Sequence, residues 1–152
     1  MNNKICFLDA DGCINSEQWY RSHEYYLNLF KDPDIDPHIV DRINQFTNET
    51  GVKLVISSSW KIDDNCIERL GRAGLDNIIG RTPNLIFTVP YDKFCKGMEI
   101  QSWLMTHNID KYIILDDELD SVLNEQKPNF LLINYKVGIT EEDIKYCKQW
   151  FK

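Results

Sequence analysis

Apolar residues in this chain fall into short runs, and the stretches between those runs repeat at helical spacing. Ile5-Cys6-Phe7-Leu8 and Val52-Lys53-Leu54-Val55-Ile56 read as strands buried on both faces, and Tyr112-Ile113-Ile114-Leu115 and Phe130-Leu131-Leu132-Ile133-Asn134 as two further strands. Asp36-Pro37 reads as an N-cap followed by proline at the first helical position. The stripe Ile39, Val40, Ile43 and Phe46 continues that helix, and Gly51 lies just past its end. Asp63 or Asp64 is placed to cap a helix carrying Ile67 and Leu70 and ended by Gly71 and Gly74. Asn77 to Leu85, with Gly80-Arg81-Thr82-Pro83, reads as a short strand and a loop. Lys93 to His107 is expected to be helical, its apolar face made by Met98, Ile100, Trp103 and Leu104. Thr140 is expected to cap a last helix running to Phe151, with Glu141 and Glu142 in its first turn. Asp143 stands where a capping box more often has Glu or Gln, so that signal is partial. Strands alternating with helices predict an α/β fold: a Rossmann-like, doubly wound parallel sheet with right-handed crossovers. The 152 residues are expected to form a single domain.

Residues 15–35 interrupt the alternation after the first strand. They are rich in aromatics (Trp19, Tyr20, Tyr25, Tyr26, Phe30), with Arg21 and His23 among them. Leu27, Phe30 and the tyrosines suggest a helical piece closed by Asp32-Pro33-Asp34, read here as a small cap or flap over the strand ends. His23 reads as polar surface, and Trp60 and Trp103 as core.

Composition adds exclusions. No apolar stretch approaches the roughly 20 residues of a membrane span. Met1 to Lys4 lead straight into the first strand, so no secretory leader is expected. A net charge of −7 argues against broad binding of nucleic acid through a basic face, while leaving room for a local basic pocket. The five cysteines are scattered, with no Cys-x-x-Cys pair, which fits reduced thiols and a cytoplasmic location. No stable protein partner is evident.

The chemistry lies at the strand ends. The first strand delivers Asp9 and Asp11, then Gly12 for a sharp turn; the second delivers Ser57-Ser58-Ser59; a later one delivers Asp116, Asp117 and Asp120. In an open parallel sheet ligands bind in the crevice beyond the strand C-termini, so these groups would converge there. Carboxylates brought together repel unless a cation compensates, and Mg²⁺ takes hard oxygen ligands of this kind. A serine hydroxyl can hold phosphate oxygens and a lysine supplies a compact positive charge. An aspartate can attack phosphorus and carry the phosphoryl group. Each part has a place in phosphoryl transfer, which depends mainly on positioning and charge stabilisation.

Together these motifs resemble the haloacid dehalogenase (HAD)-like phosphohydrolases over nearly the whole chain. Phe7-Leu8-Asp9-Ala10-Asp11-Gly12 is similar to the first motif of that superfamily, Val55-Ile56-Ser57 to the second, Lys96 to the third and Leu115 to Asp120 to the fourth. Finer features resemble the small HAD domains of RNA-repair proteins: Ile56-Ser57-Ser58-Ser59-Trp60-Lys61, Gly80-Arg81-Thr82-Pro83, and Glu99-Ile100 with Trp103-Leu104. The resemblance implies Asp9 as nucleophile, forming an aspartyl-phosphate, and Asp11 as general acid/base and as a metal ligand through its backbone carbonyl. It implies Ser57, with Ser58 as second choice, and Lys96, with Lys93 as the alternative, for phosphate. Asp9, Asp11 and one or both of Asp116 and Asp117 would hold Mg²⁺, with Asp120 in support. The expected activity is hydrolysis of phosphomonoesters, extending to nucleotides or phosphorylated nucleic-acid ends, with Trp19, Tyr20, Arg21, Lys61 and Arg81 as candidate substrate contacts. The competing readings are a carboxylate-metal nuclease, which would need neither Lys96 nor the serines, a response-regulator receiver, and a non-catalytic phosphate-binding module. A P-loop kinase is disfavoured because no Gly-x-x-x-x-Gly-Lys-Ser/Thr occurs.

Overall fold

The computed structural model describes residues 3–27 and 32–152. Five strands, β1 (Lys4–Leu8), β2 (Lys53–Ile56), β3 (Ile78–Arg81), β4 (Lys111–Asp116) and β5 (Phe130–Leu132), form one sheet in the order β3-β2-β1-β4-β5. Every pairing is parallel. Sequence order runs outward from β1 to one edge and then resumes at β4 on its other side, so the winding reverses between β1 and β4. That reversal opens the crevice at which doubly wound sheets bind ligands.

The central strands β1, β2 and β4 are apolar and buried over most of their length because both faces are covered. The edge strands β3 and β5 are only partly buried and leave Ile79 and Leu132 exposed. Alternate side chains divide between two cores. Cys6, Leu8, Leu54, Ile56, Ile113 and Leu115 join Ile39, Ile43 and Phe46 of α3 (Pro37–Thr50) and Ile144 and Cys147 of α6 (Glu141–Trp150). Ile5, Phe7, Val55 and Ile114 face Ile100 of α5 (Lys96–Thr106) on the opposite side, with Trp103 and Leu104 packed against them. Phe7 has no exposed surface, and burial of such a side chain contributes about 1.5–3 kcal/mol.

The caps follow the sequence with two exceptions. Asp36 caps α3 by accepting from the His38 N–H, and Gly51 ends it with φ +74°. Thr140 and Asp143 complete a full capping box at α6, so aspartate serves where glutamate is more usual. By contrast, neither Asp63 nor Asp64 caps α4 (Cys66–Arg72). Residues Ser59–Ile62 form a 3-10 turn instead, and Asn65 precedes α4 without a side-chain cap. Gly71 lies inside α4 rather than ending it, whereas Gly74 follows it in the left-handed region.

The segment after β1 carries two short helices, α1 (Glu17–Tyr20) and α2 (His23–Leu27). The helical piece expected around Phe30 lies outside the described residues. The segment docks through Glu17 and Gln18, whose N–H groups donate to the Tyr135 and Lys136 carbonyls, and through Asp32 and Asp34, which receive the Arg69 guanidinium of α4. Among the described residues no helix is long and apolar enough to cross a membrane.

Candidate active site

Asp9 sits one residue past β1, where its N–H still donates to the Leu115 carbonyl, so the sheet itself fixes its backbone. Asp116 is the last residue of β4 and Asp117 follows it. One oxygen from each of Asp9, Asp116 and Asp117 lies within 4.8 Å of the others. Gly12 makes the approach possible: it adopts φ +80°, and a Cβ there would overlap the Asp117 carboxylate.

Lys96, the first residue of α5, points into this group. Its Nζ donates to Asp9 Oδ1 at 3.0 Å and to Asp116 Oδ2 at 3.1 Å. Asp116 also accepts the Glu118 N–H through Oδ1 at 2.9 Å. Three carboxylates against one ammonium leave the site two negative charges in excess when all are ionised. Burial, helped by the Asp116 charge, pushes Asp9 up to about 7 even though Lys96 pulls it down. Burial likewise raises Asp117, against a hydrogen bond shared with Asp9. For Lys96 burial works against the charge, but the Asp9 and Asp116 carboxylates outweigh it and hold the ammonium above its ordinary range.

This donor set fits Mg²⁺. It consists of hard oxygens, contains neither histidine nor cysteine, and carries an excess of negative charge that a divalent cation would neutralise. The side chain of Asp11 lies outside the three-carboxylate group. It is exposed, accepting from Asn15 Nδ2 through Oδ1 and from Trp60 Nε1 through Oδ2, both at 3.1 Å. Asn15 also accepts the Gly12 N–H and donates to the Asp34 carbonyl, so one buried amide fixes the turn that presents Asp11.

Ser57 follows β2, its N–H donating to the Leu8 carbonyl, so that N–H belongs to the sheet and not to a phosphate. Its hydroxyl is buried with no hydrogen-bond partner among the described residues. An orphaned buried hydroxyl costs about 1–3 kcal/mol, an expense that a ligand oxygen would relieve. Ser58 differs: its Oγ accepts from the Trp60 N–H and caps the 3-10 turn.

The remaining candidates divide. Trp19 is buried in the flap, its Nε1 donating to the Pro33 carbonyl at 2.7 Å and its edge against Tyr25, so it offers no open face for stacking. Lys61 is buried in an ion pair with Glu99, which also accepts the Leu85 N–H. Arg81 donates to the Lys61 and Asp63 carbonyls and meets Asp64. Two of the three cations expected at substrate, Lys61 and Arg81, are therefore engaged by groups of the protein itself. Asp120 is exposed in the 3-10 turn Leu119–Ser121 and is not part of the carboxylate group. Lys93 is exposed in a turn before α5. Arg21 is exposed at the end of α1, and Tyr20 lines a cleft of about 320 Å³ together with Asp11, Gly12, Asp117 and Tyr135.

Four residues at or behind the site gave no sequence signal strong enough to single them out for these roles: Asn15, Trp60, Gln126 and Tyr135. Gln126 is fully buried, accepting the Leu123 N–H and donating to the Gly97 carbonyl, so it braces the start of α5 beside Lys96. Trp60 read as core and as part of the motif Ile56 to Lys61; it is partly buried against the core, and its Nε1 reaches Asp11.

An acid pair after the first of five parallel strands, a serine after the second and a lysine before the acidic end of the fourth define a HAD-like domain. A family model for the HAD domain in Swiss Army Knife RNA repair proteins matches residues 5–144, and the chain belongs to that family. The family places it among HAD-type hydrolases. No curated protein and no solved structure matches the chain.

Proposed function

We propose that this chain is a Mg²⁺-dependent phosphomonoester hydrolase that works through an aspartyl-phosphate on Asp9. The observation that carries the reading is the contact of Lys96 Nζ with both Asp9 and Asp116, beside a third carboxylate and close in the fold to the buried Ser57 hydroxyl, which has no partner among the described residues. Asp9 attacks phosphorus as the bond to the leaving oxygen breaks, and Asp11 protonates that oxygen. Water then attacks the phosphorus of the acyl phosphate, Asp11 takes a proton from the water, and the bond to Asp9 breaks to restore the carboxylate. Ser57 and Lys96 hold the phosphoryl oxygens throughout. Mg²⁺, held by Asp9, Asp116 and Asp117 with the Asp11 carbonyl, would supply the charge neutralisation that lets an anionic carboxylate approach an anionic phosphate.

For substrate class, the open cleft beside Asp11 and Asp117 has Tyr20 and the half-exposed Tyr135 on its wall. Base–aromatic stacking contributes roughly 1–3 kcal/mol per base. The family is described from RNA repair proteins, which agrees with nucleotides or phosphorylated nucleic-acid ends. A net charge of −7 favours mononucleotides and short oligonucleotides over long polymers. A panel of sugar phosphates, nucleotides and 5′- and 3′-phosphorylated oligonucleotides tests this. Nucleotide-type substrates should lead in kcat/KM, and Tyr135→Ala should raise their KM about tenfold. Preference for sugar phosphates, or cleavage of diesters instead of monoesters, contradicts it.

A further inference from the structure

The residues between β2 and α4 are held more rigidly than a surface turn requires, and what they present is the Trp60 indole. Ser58 Oγ accepts the Trp60 N–H at 3.1 Å, the Lys61 N–H donates to the Ser58 carbonyl, and the Asp63 N–H donates to the Trp60 carbonyl. From outside, Lys61 is anchored to the buried Glu99 of α5, and Arg81 of β3 holds the Lys61 and Asp63 carbonyls. On the indole's other side the Arg69 guanidinium lies 4.2 Å from the ring centroid. Arg69 is itself fixed by Asp32, through Nε at 2.6 Å, and by Asp34 at 3.0 Å. The one polar atom of the indole, Nε1, donates to Asp11 Oδ2 at 3.1 Å, while Asn15 holds Oδ1.

We infer that Trp60 is a positioning residue for the acid/base Asp11, with Arg69 setting the indole's orientation. This rests on the function proposed above. A carboxylate at an exposed strand end has two free torsions and would sample many rotamers. Two donors, one on each oxygen and each on a separately braced element, restrict it to one. Proton transfer to a leaving oxygen needs hydrogen-bond reach, and a misplacement of about 1 Å can cost 10²-fold. The flap residues Asp32 and Asp34 join the same chain of contacts, so flap placement and acid placement are coupled through Arg69.

The leaving group supplies the test. An alkyl phosphate such as a nucleoside 5′-monophosphate requires its leaving oxygen to be protonated; a nitrophenyl phosphate does not. Trp60→Phe keeps an aromatic ring beneath Arg69 and removes the N–H together with the five-membered ring that carries it. It should lower kcat/KM, which reports phosphoryl transfer to Asp9 and not the hydrolysis step shared by both substrates, about 10- to 100-fold for the alkyl substrate and less than about threefold for the nitrophenyl substrate. Arg69→Gln leaves the N–H in place but frees the indole, and should show a smaller loss with the same leaving-group dependence; it carries the test if Trp60→Phe folds poorly. Equal losses of kcat/KM on both substrates, or none on either, overturn the inference. Asp9→Asn run alongside separates the two proposals: if it keeps turnover, the nucleophile assignment fails. If it abolishes turnover while Trp60→Phe shows no leaving-group dependence, only the role of Trp60 falls.

Discussion

The two adjacent serines after β2 have opposite surroundings, and that difference is measurable. Ser57 Oγ bonds to no described protein group, so Ser57→Ala should leave stability unchanged or slightly raised while cutting turnover about 10²-fold, the loss typical of one donor to a reacting oxygen. Ser58 Oγ caps a turn, so Ser58→Ala should lower stability by about 1 kcal/mol and reduce activity much less. Thermal melts with steady-state rates check both; the reverse pattern would exchange their roles. Asp9 offers a second prediction at this scale. Burial moves it from an ordinary 3.8 to about 7, so its contribution to stability is fully present below 3.8 and is lost as pH rises through about 7. Asp36, raised by burial, acts in the same direction, while His38, raised by its bond to Glu24, keeps its contribution up to about 6.5 and loses it only above that. Asp32, held low chiefly by Arg69, loses its contribution only under more acid conditions. In EDTA the Tm should therefore fall between about pH 4 and about pH 7, and Mg²⁺ should raise the Tm and flatten that fall. A Tm in EDTA that climbs over the same range would contradict the charge balance described for the site.

At the scale of elements, α5 matters because it carries Lys96 at its first residue and Glu99 one turn later. Its start is braced by Gln126, and Gly97 has no room for a side chain, since a Cβ would meet Gln126 Oε1 at 2.5 Å and the Leu123 nitrogen at 2.6 Å. Gln126→Leu would orphan the Leu123 N–H and the Gly97 carbonyl, a cost of about 1–3 kcal/mol. It should also lower kcat, because Lys96 would no longer be held against Asp9 and Asp116; wild-type kcat with wild-type Tm would show that the brace has no effect. The elements themselves were largely legible. Buried parallel strands must be apolar on both faces, and Ile5–Leu8 and Tyr112–Leu115 show that without reference to anything distant. Asp36, Pro37 and Gly51 mark α3 for equally local reasons. The failures were of another kind. Asp63 had the right chemistry to cap a helix, but the chain closes a 3-10 turn first because Arg81, brought in by β3, holds its carbonyls.

At the scale of the whole molecule, the same distinction separates what was readable in the site. Asp9, Ser57, Lys96, Asp116 and Asp117 each stand at the end or start of an element, so locating the element locates the residue. Lys61 and Arg81 could be read from sequence either as surface charge or as cations that meet neighbouring substrate phosphates. Their partners Glu99 and the Lys61 carbonyl come from α5 and from the turn, and only tertiary contact shows that their charge and donors are already engaged. Trp60, Asn15 and Tyr135 were missed for the same reason in reverse: each is an ordinary residue until the sheet brings it to Asp11. The central claim, that the reversal between β1 and β4 builds a nucleophile at Asp9, has a direct test. During turnover of a phosphomonoester with Mg²⁺, rapid quenching into borohydride reduces an acyl phosphate to the alcohol, so a trapped intermediate becomes homoserine. The account predicts that mass change at position 9 alone, dependent on both substrate and Mg²⁺, and loss of turnover to background in Asp9→Asn. Steady turnover with position 9 unmodified, or with the mark on another residue, would contradict it.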